Sequence, residues 1–496
     1  MVSKIWTVSF QGIEVIDIEV QVQMTNGLPA FSIVGLPDKA VAESRERIRN
    51  ALHAMGLALP AQKITVNLAP ASVQKEGSHY DLPIALGVLA AMRILKKDEL
   101  MEYTAVGEVS LDGTLLAVPG ILPAAFQSYL KKRRFICPAM CGSEAAWITN
   151  LDIIPASSLL SLVNFFKGNQ VIAPPTPKVA TPYPKLIDFK EVRGQHTARR
   201  ALEIAAAGGH NLLMSGPPGA GKSMLANRLP TILPDLEPAE ALELSMIYSV
   251  AGLLPEGRLL QQRPFRDPHH SASLASLVGG GHKARPGEIS LAHKGVLFLD
   301  ELPEFSRSAL ESLRQPLESG KVVVSRVNAH IAYPSDIQLV AAMNPCPCGY
   351  LGDIERGCRR APLCGKDYQK KISGPLLDRI DLHLSLPAVP PQELVKLREG
   401  ESSHTIKERV GEARQIQKHR NNGLLNSRLS GTQLEEMCQL TAESKILLVA
   451  AAEKFKLSAR SYYRILKVAR TIADLAQNSQ TERPHMAEAL SYRHQF

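Results

Sequence analysis

One stretch, Gly216-Pro217-Pro218-Gly219-Ala220-Gly221-Lys222-Ser223, limits what this chain can fold into more than any other. The apolar run Asn211-Leu212-Leu213-Met214 precedes it and Met224-Leu225-Ala226-Asn227-Arg228-Leu229 follows it, so the segment reads as strand, phosphate loop and helix. Glycines at 216, 219 and 221 let consecutive backbone N–H groups converge on phosphate oxygens at a helix N-terminus, where the macrodipole also favours negative charge. The expected ligand is a nucleoside triphosphate, ATP, cradled by Gly216 through Met224. Lys222 is placed to reach the β- and γ-phosphates and Ser223 to ligate Mg²⁺.

A phosphate loop alone can be a glycine-rich turn, so hydrolysis requires partners further along. Gly295-Val296-Leu297-Phe298-Leu299-Asp300-Glu301 is a short apolar run, as in a buried parallel strand, ending in two carboxylates. Asp300 fits the Mg²⁺-side carboxylate and Glu301 the group that orients or deprotonates the attacking water. Alone, the pair would read as a helix cap after a core strand; its place downstream of a complete phosphate loop reverses that preference. Ile337-Gln338-Leu339-Val340-Ala341-Ala342-Met343 is a third strand, ending at Asn344, which is placed to hold the same water. Three strand ends then converge on one γ-phosphate.

At 496 residues the prior is about three domains. The longest apolar stretch, Leu82 to Met92, falls short of the ~18 residues of a membrane span, and Glu14 and Asp17 interrupt any signal peptide. A cytoplasmic protein without a membrane partner is expected. A formal charge of +9 leans towards a polyanionic partner. Pro174, Pro175, Pro177, Pro182 and Pro184 mark residues 169–186 as an extended linker. Upstream, residues 1–168 form an α+β domain, with a strand over Lys63–Leu68, a helix over Asp38–Met55 and a buried helix over Leu82–Leu95. Residues 187–390 carry the nucleotide machinery. Residues 391–496 turn helical, over Ile406–Arg420, Ser430–Cys438, Ala442–Phe455 and Ala459–Ala476.

Seven cysteines without a secretion signal argue for reduced thiols or a metal. Cys346, Cys348, Cys358 and Cys364 follow Asn344 closely, and four thiolates suffice for a tetrahedral structural Zn²⁺ site, although the spacing departs from paired C-x₂-C knuckles. Free thiols are the alternative. Cys137 and Cys141 read as packing residues, and Cys438 sits on an expected helix.

The ordered set of phosphate loop, paired carboxylates and Asn344 resembles AAA+ ATPases. Arg263-Pro264-Phe265-Arg266-Asp267-Pro268-His269-His270-Ser271-Ala272-Ser273 resembles the magnesium-chelatase-like branch. With Asn26-Gly27-Leu28-Pro29-Ala30-Phe31-Ser32-Ile33-Val34-Gly35-Leu36-Pro37, nearly the whole chain is similar to the YifB/ComM family of bacterial competence proteins. The resemblance implies a homo-hexameric, ATP-driven DNA helicase that promotes branch migration during integration of incoming DNA. Its partners would be single-stranded and branched DNA and recombination proteins. It places an arginine finger at Arg379, acting on the neighbouring subunit's ATP, and a second sensor at Arg460, with Arg464 as the alternative. It fits a hairpin to Gly320–Ile331, making Lys283, Lys321 and Arg326 candidate contacts to a threaded strand. His269 and His270 read as a structural loop, because no convergent carboxylate or cysteine lies nearby in sequence.

Lys75-Glu76-Gly77-Ser78-His79-Tyr80-Asp81 and Gly107-Glu108-Val109-Ser110-Leu111-Asp112-Gly113 resemble the Lon-protease-like fold, a relative of the second domain of ribosomal protein S5. The Lon serine falls at His79 and the Lon lysine at Leu122, so the Ser-Lys dyad is missing and peptide hydrolysis is not expected. Ser78 with Lys75 offers a displaced dyad, but turn residues flanking a helix start are the simpler explanation. The expected fold is therefore α/β multidomain: a Lon-protease-like α+β domain, an AAA+ P-loop α/β domain and a C-terminal helical lid. The competing functional reading is a chelatase-type subunit or assembly factor that remodels a protein partner.

Overall fold

Two β-sheets organise the chain in the computed structural model, which describes residues 2–178, 187–281, 284–326, 329–351, 360–387 and 399–493. The first is seven-stranded, in the order Ala30–Val34, Lys63–Ala69, Glu14–Thr25, Val2–Gln11, Tyr103–Ala105, Arg134–Pro138, Ile153–Ala156. Its long antiparallel hairpin, Val2–Gln11 with Glu14–Thr25, continues into strands that pair in parallel. Helix Asp81–Ala91 is buried from Asp81 through Ala90, so it is apolar all round, as a helix enclosed on every side must be. Lys39–Ala54 instead buries one stripe, Val41, Ser44, Ile48, Ala51 and Leu52, and is capped by Asp38, which accepts from Val41 N.

The second sheet is parallel throughout and ordered Phe265–Arg266, Val296–Leu299, Gln338–Met343, Leu212–Ser215, Leu382–Ser385. Every residue of Val296–Leu299 and Gln338–Met343 is buried, as expected where both faces are covered. Alternate residues divide between the faces. Leu212, Met214, Val296, Phe298, Val340 and Ala342 join a core with helices His196–Gly208, Lys222–Ile232, Ser403–Arg420 and Ala459–Leu475. Leu213, Leu297, Leu299, Leu339, Ala341 and Met343 face Leu310, Leu313 and the hairpin Lys321–Arg326 with Ala329–Pro334.

The C-terminal helices are thus continuous with the core of the parallel sheet. They include Gly431–Cys438, Ala442–Phe455 and a further helix, Arg483–Ser491, which the sequence reading did not anticipate. Asp474 ties them together from a fully buried position: Arg420 Nη1 lies 2.6 Å from its Oδ1 and Arg470 Nε 3.0 Å. Buried charges in this arrangement are each paired and hydrogen-bonded, the condition under which burial is tolerated.

The first sheet docks on the second unit at two places. The turn Gly12-Ile13 at the tip of the long hairpin needs φ +71 at Gly12, where a β-carbon would come within 3.0 Å of Ala332 O and Ile331 Cγ2. Beside it, Ile13 packs into the cores around Leu291 and Ile331. At the second place, helix Pro238–Ala251 contributes Met246 to the core formed by Val8, Val118, Ile121 and Leu122. Gly120 N donates to Ser249 O at 3.0 Å, and Trp147 Nε1 donates to Gly257 O at 3.0 Å.

Candidate active site

Parallel register assembles the site. Ser215 lies opposite Met343, and Leu299 opposite Ala341, so Gly216, Asn344 and Asp300 leave their strands at the same carboxyl edge. Helix Lys222–Ile232 begins at Gly221, whose φ of 83 is left-handed. Gly219 is also left-handed, at φ +77, and a β-carbon there would meet open space. A side chain at either position would be strained, and the backbone N–H groups of the loop are free to approach an anion closely.

Lys222 is buried and its Nζ donates to Gly216 O at 2.7 Å, Pro217 O at 3.0 Å and Asn344 Oδ1 at 3.0 Å. Burial pulls its pKa below the ordinary lysine value, while the carboxylates of Asp300 and Glu301 oppose that shift. Ser223 Oγ donates to Asp300 Oδ2 at 2.6 Å, and Asp300 Oδ1 accepts from Glu301 N at 2.9 Å. Glu301 itself has a left-handed backbone, φ 51, which costs a residue with a β-carbon of order 1–3 kcal/mol and is kept where the surroundings enforce it. A hydroxyl and a carboxylate oxygen in contact form a hard-oxygen donor pair suited to Mg²⁺. The glycine cradle and Lys222 suit the phosphates of ATP. Pro217, Pro218 and Ala220 complete the loop, and Met224 lies exposed on the first turn of the helix.

Three further side chains belong to this edge, although the sequence reading gave them no part in it. Gln195, at φ 46, donates from Nε2 to Ala220 O at 2.7 Å. His270 Nδ1 lies 3.2 Å from Glu301 Oε2, so the loop read as merely structural reaches the site. Asp267 follows the strand Phe265–Arg266, and its pKa is raised, first by burial and then by the Asp300 charge. The strand Phe265–Arg266 was the available signal, since it places residues 267–270 beyond the same sheet edge.

Arg379 lies elsewhere. Asn211 Nδ2 donates to Arg379 O at 2.8 Å, and Asn211 sits at the amino end of the strand whose carboxyl end feeds the phosphate loop. Five residues at ~3.3 Å each put about 16 Å between Asn211 and Gly216. The Arg379 guanidinium donates to Pro375 O at 2.7 Å and to the Glu318 carboxylate. Arg460 is exposed, with Nη1 3.9 Å from Asp378 Oδ2. Arg464 is built into the fold, donating to Leu377 O at 3.1 Å and Ile380 O at 2.6 Å. Both arginines therefore neighbour the segment carrying Arg379.

Of the candidate DNA contacts, Lys321 is exposed at the start of its hairpin, whereas Lys283 and the side chain of Arg326 lie outside the described residues. Cys358 does too. Cys346 Sγ and Cys348 Sγ are 3.1 Å apart, and Cys364 is buried, but among the described residues no group of three or more ligating side chains comes together. The geometry does not support the zinc expectation. In the first unit, Lys75 Nζ donates to Pro70 O and Ser78 Oγ to the Glu108 carboxylate, so the structure gives each its own partner rather than joining them. His79 Nε2 lies 2.9 Å from Val8 O, and Leu122 is a core residue. Among the described residues no helix is long and apolar enough to cross a membrane.

Family comparisons agree along the chain. The profile described as magnesium chelatase, subunit ChlI, matches residues 188–394. A profile for subunit ChlI of Mg-chelatase matches 20–140, and one for the ChlI C-terminal region matches 400–493. The chain is 45% identical to the uncharacterized protein YifB of Escherichia coli (strain K12), over 97% of this chain and 95% of that one. It is 43% identical to competence protein ComM of Haemophilus influenzae, over the same shares of each. The magnesium-chelatase 67 kDa subunit of Chlorobaculum parvum is 29% identical, over 32% of this chain and 24% of its own.

Proposed function

Because the chain belongs to the magnesium-chelatase-like YifB/ComM family, we propose that it is an AAA+ ATPase that works as a homo-hexameric DNA motor, promoting branch migration during homologous integration of DNA. The observation that carries the ATPase reading is the convergence of Lys222 with Asn344 and of Ser223 with Asp300 on one sheet edge. In this reading Ser223 and Asp300 hold Mg²⁺, which supplies positive charge to the transferring phosphoryl group. The backbone of residues 216–224 and Lys222 bind the phosphates, Glu301 orients or deprotonates water, and Asn344 fixes its position. Arg379, at the far end of the sheet from its own loop, serves the site of the next subunit, and exposed Arg460 beside Asp378 senses nucleotide state. The first unit is a Lon-protease-like support without a dyad, residues 187–390 the motor domain and residues 391–496 its lid.

The DNA assignment is supported by the likeness to a competence protein over nearly the full chain, and by the hairpin at Lys321–Pro334. A second reading, a chelatase-type subunit or assembly factor acting on a protein partner, is favoured by the family profile over 188–394. ATP hydrolysis by purified protein, with and without single-stranded and branched DNA and scored with strand movement, separates the two. DNA-stimulated turnover with junction movement supports the motor; DNA-indifferent hydrolysis refutes it and points to a protein partner. A Zn²⁺ at Cys346, Cys348, Cys358 and Cys364 rests on the cysteine pattern alone, and a metal analysis finding no zinc in purified protein removes it.

A further inference from the structure

Two segments that flank the hydrolytic residues in sequence meet at an open pocket of about 360 Å³. Pro303, Glu304, Phe305 and Arg307 come from the stretch that follows Asp300-Glu301, and Lys370 and Lys371 from the stretch that leads to Arg379. The first segment is tied to the site, since Glu304 N donates to Glu301 O at 2.8 Å. Three cations and one carboxylate line the pocket. The lysines' own contacts are loose and face solvent: Lys371 Nζ lies 3.4 Å from Glu304 Oε2, and Lys370 Nζ 3.8 Å from Asp367 Oδ1. Exposed pairs of that kind hold little energy, so another anion can displace them. Lys371 is kept over the ring of the buried Tyr368, with Nζ 5.1 Å from its centroid. Arg307 is exposed at the start of its helix, which Ser306 caps by accepting from Ala309 N at 3.3 Å. Glu311 on the same helix pairs with Arg314 at 2.7 Å.

We propose that this pocket takes one nucleotide unit of a single DNA strand, with Arg307, Lys370 and Lys371 on its phosphates and Pro303 and Phe305 against its sugar or base. The proposal rests on the DNA reading above, and it adds a contact apart from the hairpin Lys321–Arg326 with Ala329–Pro334. The volume is that of a small-ligand cleft, and a lone phosphate would leave most of it empty. Its lining contains no glycine loop of the kind that offers converging N–H groups to a triphosphate around Lys222, which weighs against a second nucleoside triphosphate site. Flexible cations beside an apolar wall instead give the salt-sensitive, sequence-tolerant hold that a threaded strand needs.

The test is binding of a labelled oligo-dT to the full chain, followed by fluorescence anisotropy over a salt series. Wild type is compared with the triple variant Arg307→Gln/Lys370→Gln/Lys371→Gln, with Lys370→Arg/Lys371→Arg, and with Lys321→Gln on the hairpin. The triple variant is expected to bind about 10-fold or more weakly at low salt. Its slope of log affinity against log salt should fall by about 1–2, since each lost phosphate contact removes about 0.7. The arginine variant keeps the charge and should bind within about threefold of wild type. An unchanged affinity in the triple variant, or a loss with no change of slope, overturns the proposal. Should the triple variant fail to bind a fluorescent ATP analogue, and so be misfolded, lysine acetylation of wild type read by mass spectrometry decides. Protection of Lys370 and Lys371 by oligo-dT supports the site, and no protection overturns it. Equal protection by the ATP analogue or by polyglutamate also overturns it, giving the pocket to a free nucleotide or to an acidic protein. A wild type that binds no oligo-dT at any salt removes the DNA reading itself, whereas weakening by Lys321→Gln beside an unaffected triple variant sinks only the pocket.

Discussion

Lys222 Nζ donates to Asn344 Oδ1 at 3.0 Å across 122 positions of chain. The same ammonium holds the carbonyls of Gly216 and Pro217, so the lysine ties the two ends of the phosphate loop to the neighbouring strand. Lys222→Ala is expected to reduce ATP turnover at least about 100-fold, because it removes the charge facing the β- and γ-phosphates. The circular dichroism spectrum should be unchanged, since the surrounding helix and strands are packed by other residues. Wild-type turnover in this variant would refute the site assignment.

Arg379 offers a test of assembly. Its carbonyl is held by Asn211 at the amino end of the sheet, so loss of its side chain leaves the chain's own phosphate loop untouched. Arg379→Ala should bind an ATP analogue normally and lose turnover by roughly 10³-fold, the lower range for an arginine finger. Mixing it with Glu301→Gln subunits should restore part of the activity, because some interfaces then pair an intact finger with an intact carboxylate. Failure of both binding and assembly would make Arg379 a structural residue, as its pairing with Glu318 would then suggest.

The two arginines near Asp378 should separate by phenotype. Arg464 donates to two main-chain carbonyls and to Ser461 Oγ at 2.8 Å. Arg464→Ala therefore removes the side-chain donor to the buried Ile380 carbonyl and should lower stability by about 1–3 kcal/mol, read from urea unfolding. Among the described residues Arg460 pairs with Asp378, at 3.9 Å and in solvent, so Arg460→Ala should leave the unfolding midpoint unchanged within about 0.5 kcal/mol. If Arg460 is the nucleotide sensor, it should still lower turnover. A stable, fully active Arg460→Ala would exclude it from the mechanism.

What the sequence disclosed and what it hid differ in the range of the information. The phosphate loop, the Asp300-Glu301 pair and Asn344 were legible because each is a short local pattern at the end of an apolar strand. Helix Lys39–Ala54 was legible because its buried residues recur at helical spacing behind an Asp38 cap. His270 was not, since its neighbour Glu301 is 31 positions away and the contact exists only through parallel register. Gln195 was hidden for a similar reason: it reaches Ala220 through a left-handed backbone that composition does not betray. Helix Arg483–Ser491 carries Pro484 in its first turn and is short, so its period is too brief to read. The continuity between the C-terminal helices and the parallel sheet is a packing fact, invisible in any single segment.

Glu144 makes the junction between the first unit and helix Pro238–Ala251 sensitive to pH. Its half-buried carboxylate accepts from Ser249 Oγ and from Leu122 N, the latter at 3.0 Å. Burial pushes its pKa above the ordinary glutamate value, and the hydrogen bonds from Ser249 and Leu122 only partly oppose that. Between the ordinary value of 4.5 and the raised one, the native chain binds more protons than the unfolded chain. Stability from this group therefore falls as pH rises through that window. Wild type should gain stability relative to Glu144→Gln on going from pH 8 towards pH 5, because the glutamine does not titrate. Ser249→Ala removes a bond that favours the ionised form and should steepen the dependence. Thermal melts of the full chain at matched ionic strength measure both effects, and a wild-type advantage that shrinks on acidification would show that the Glu144 carboxylate is stabilised, not penalised, at this junction.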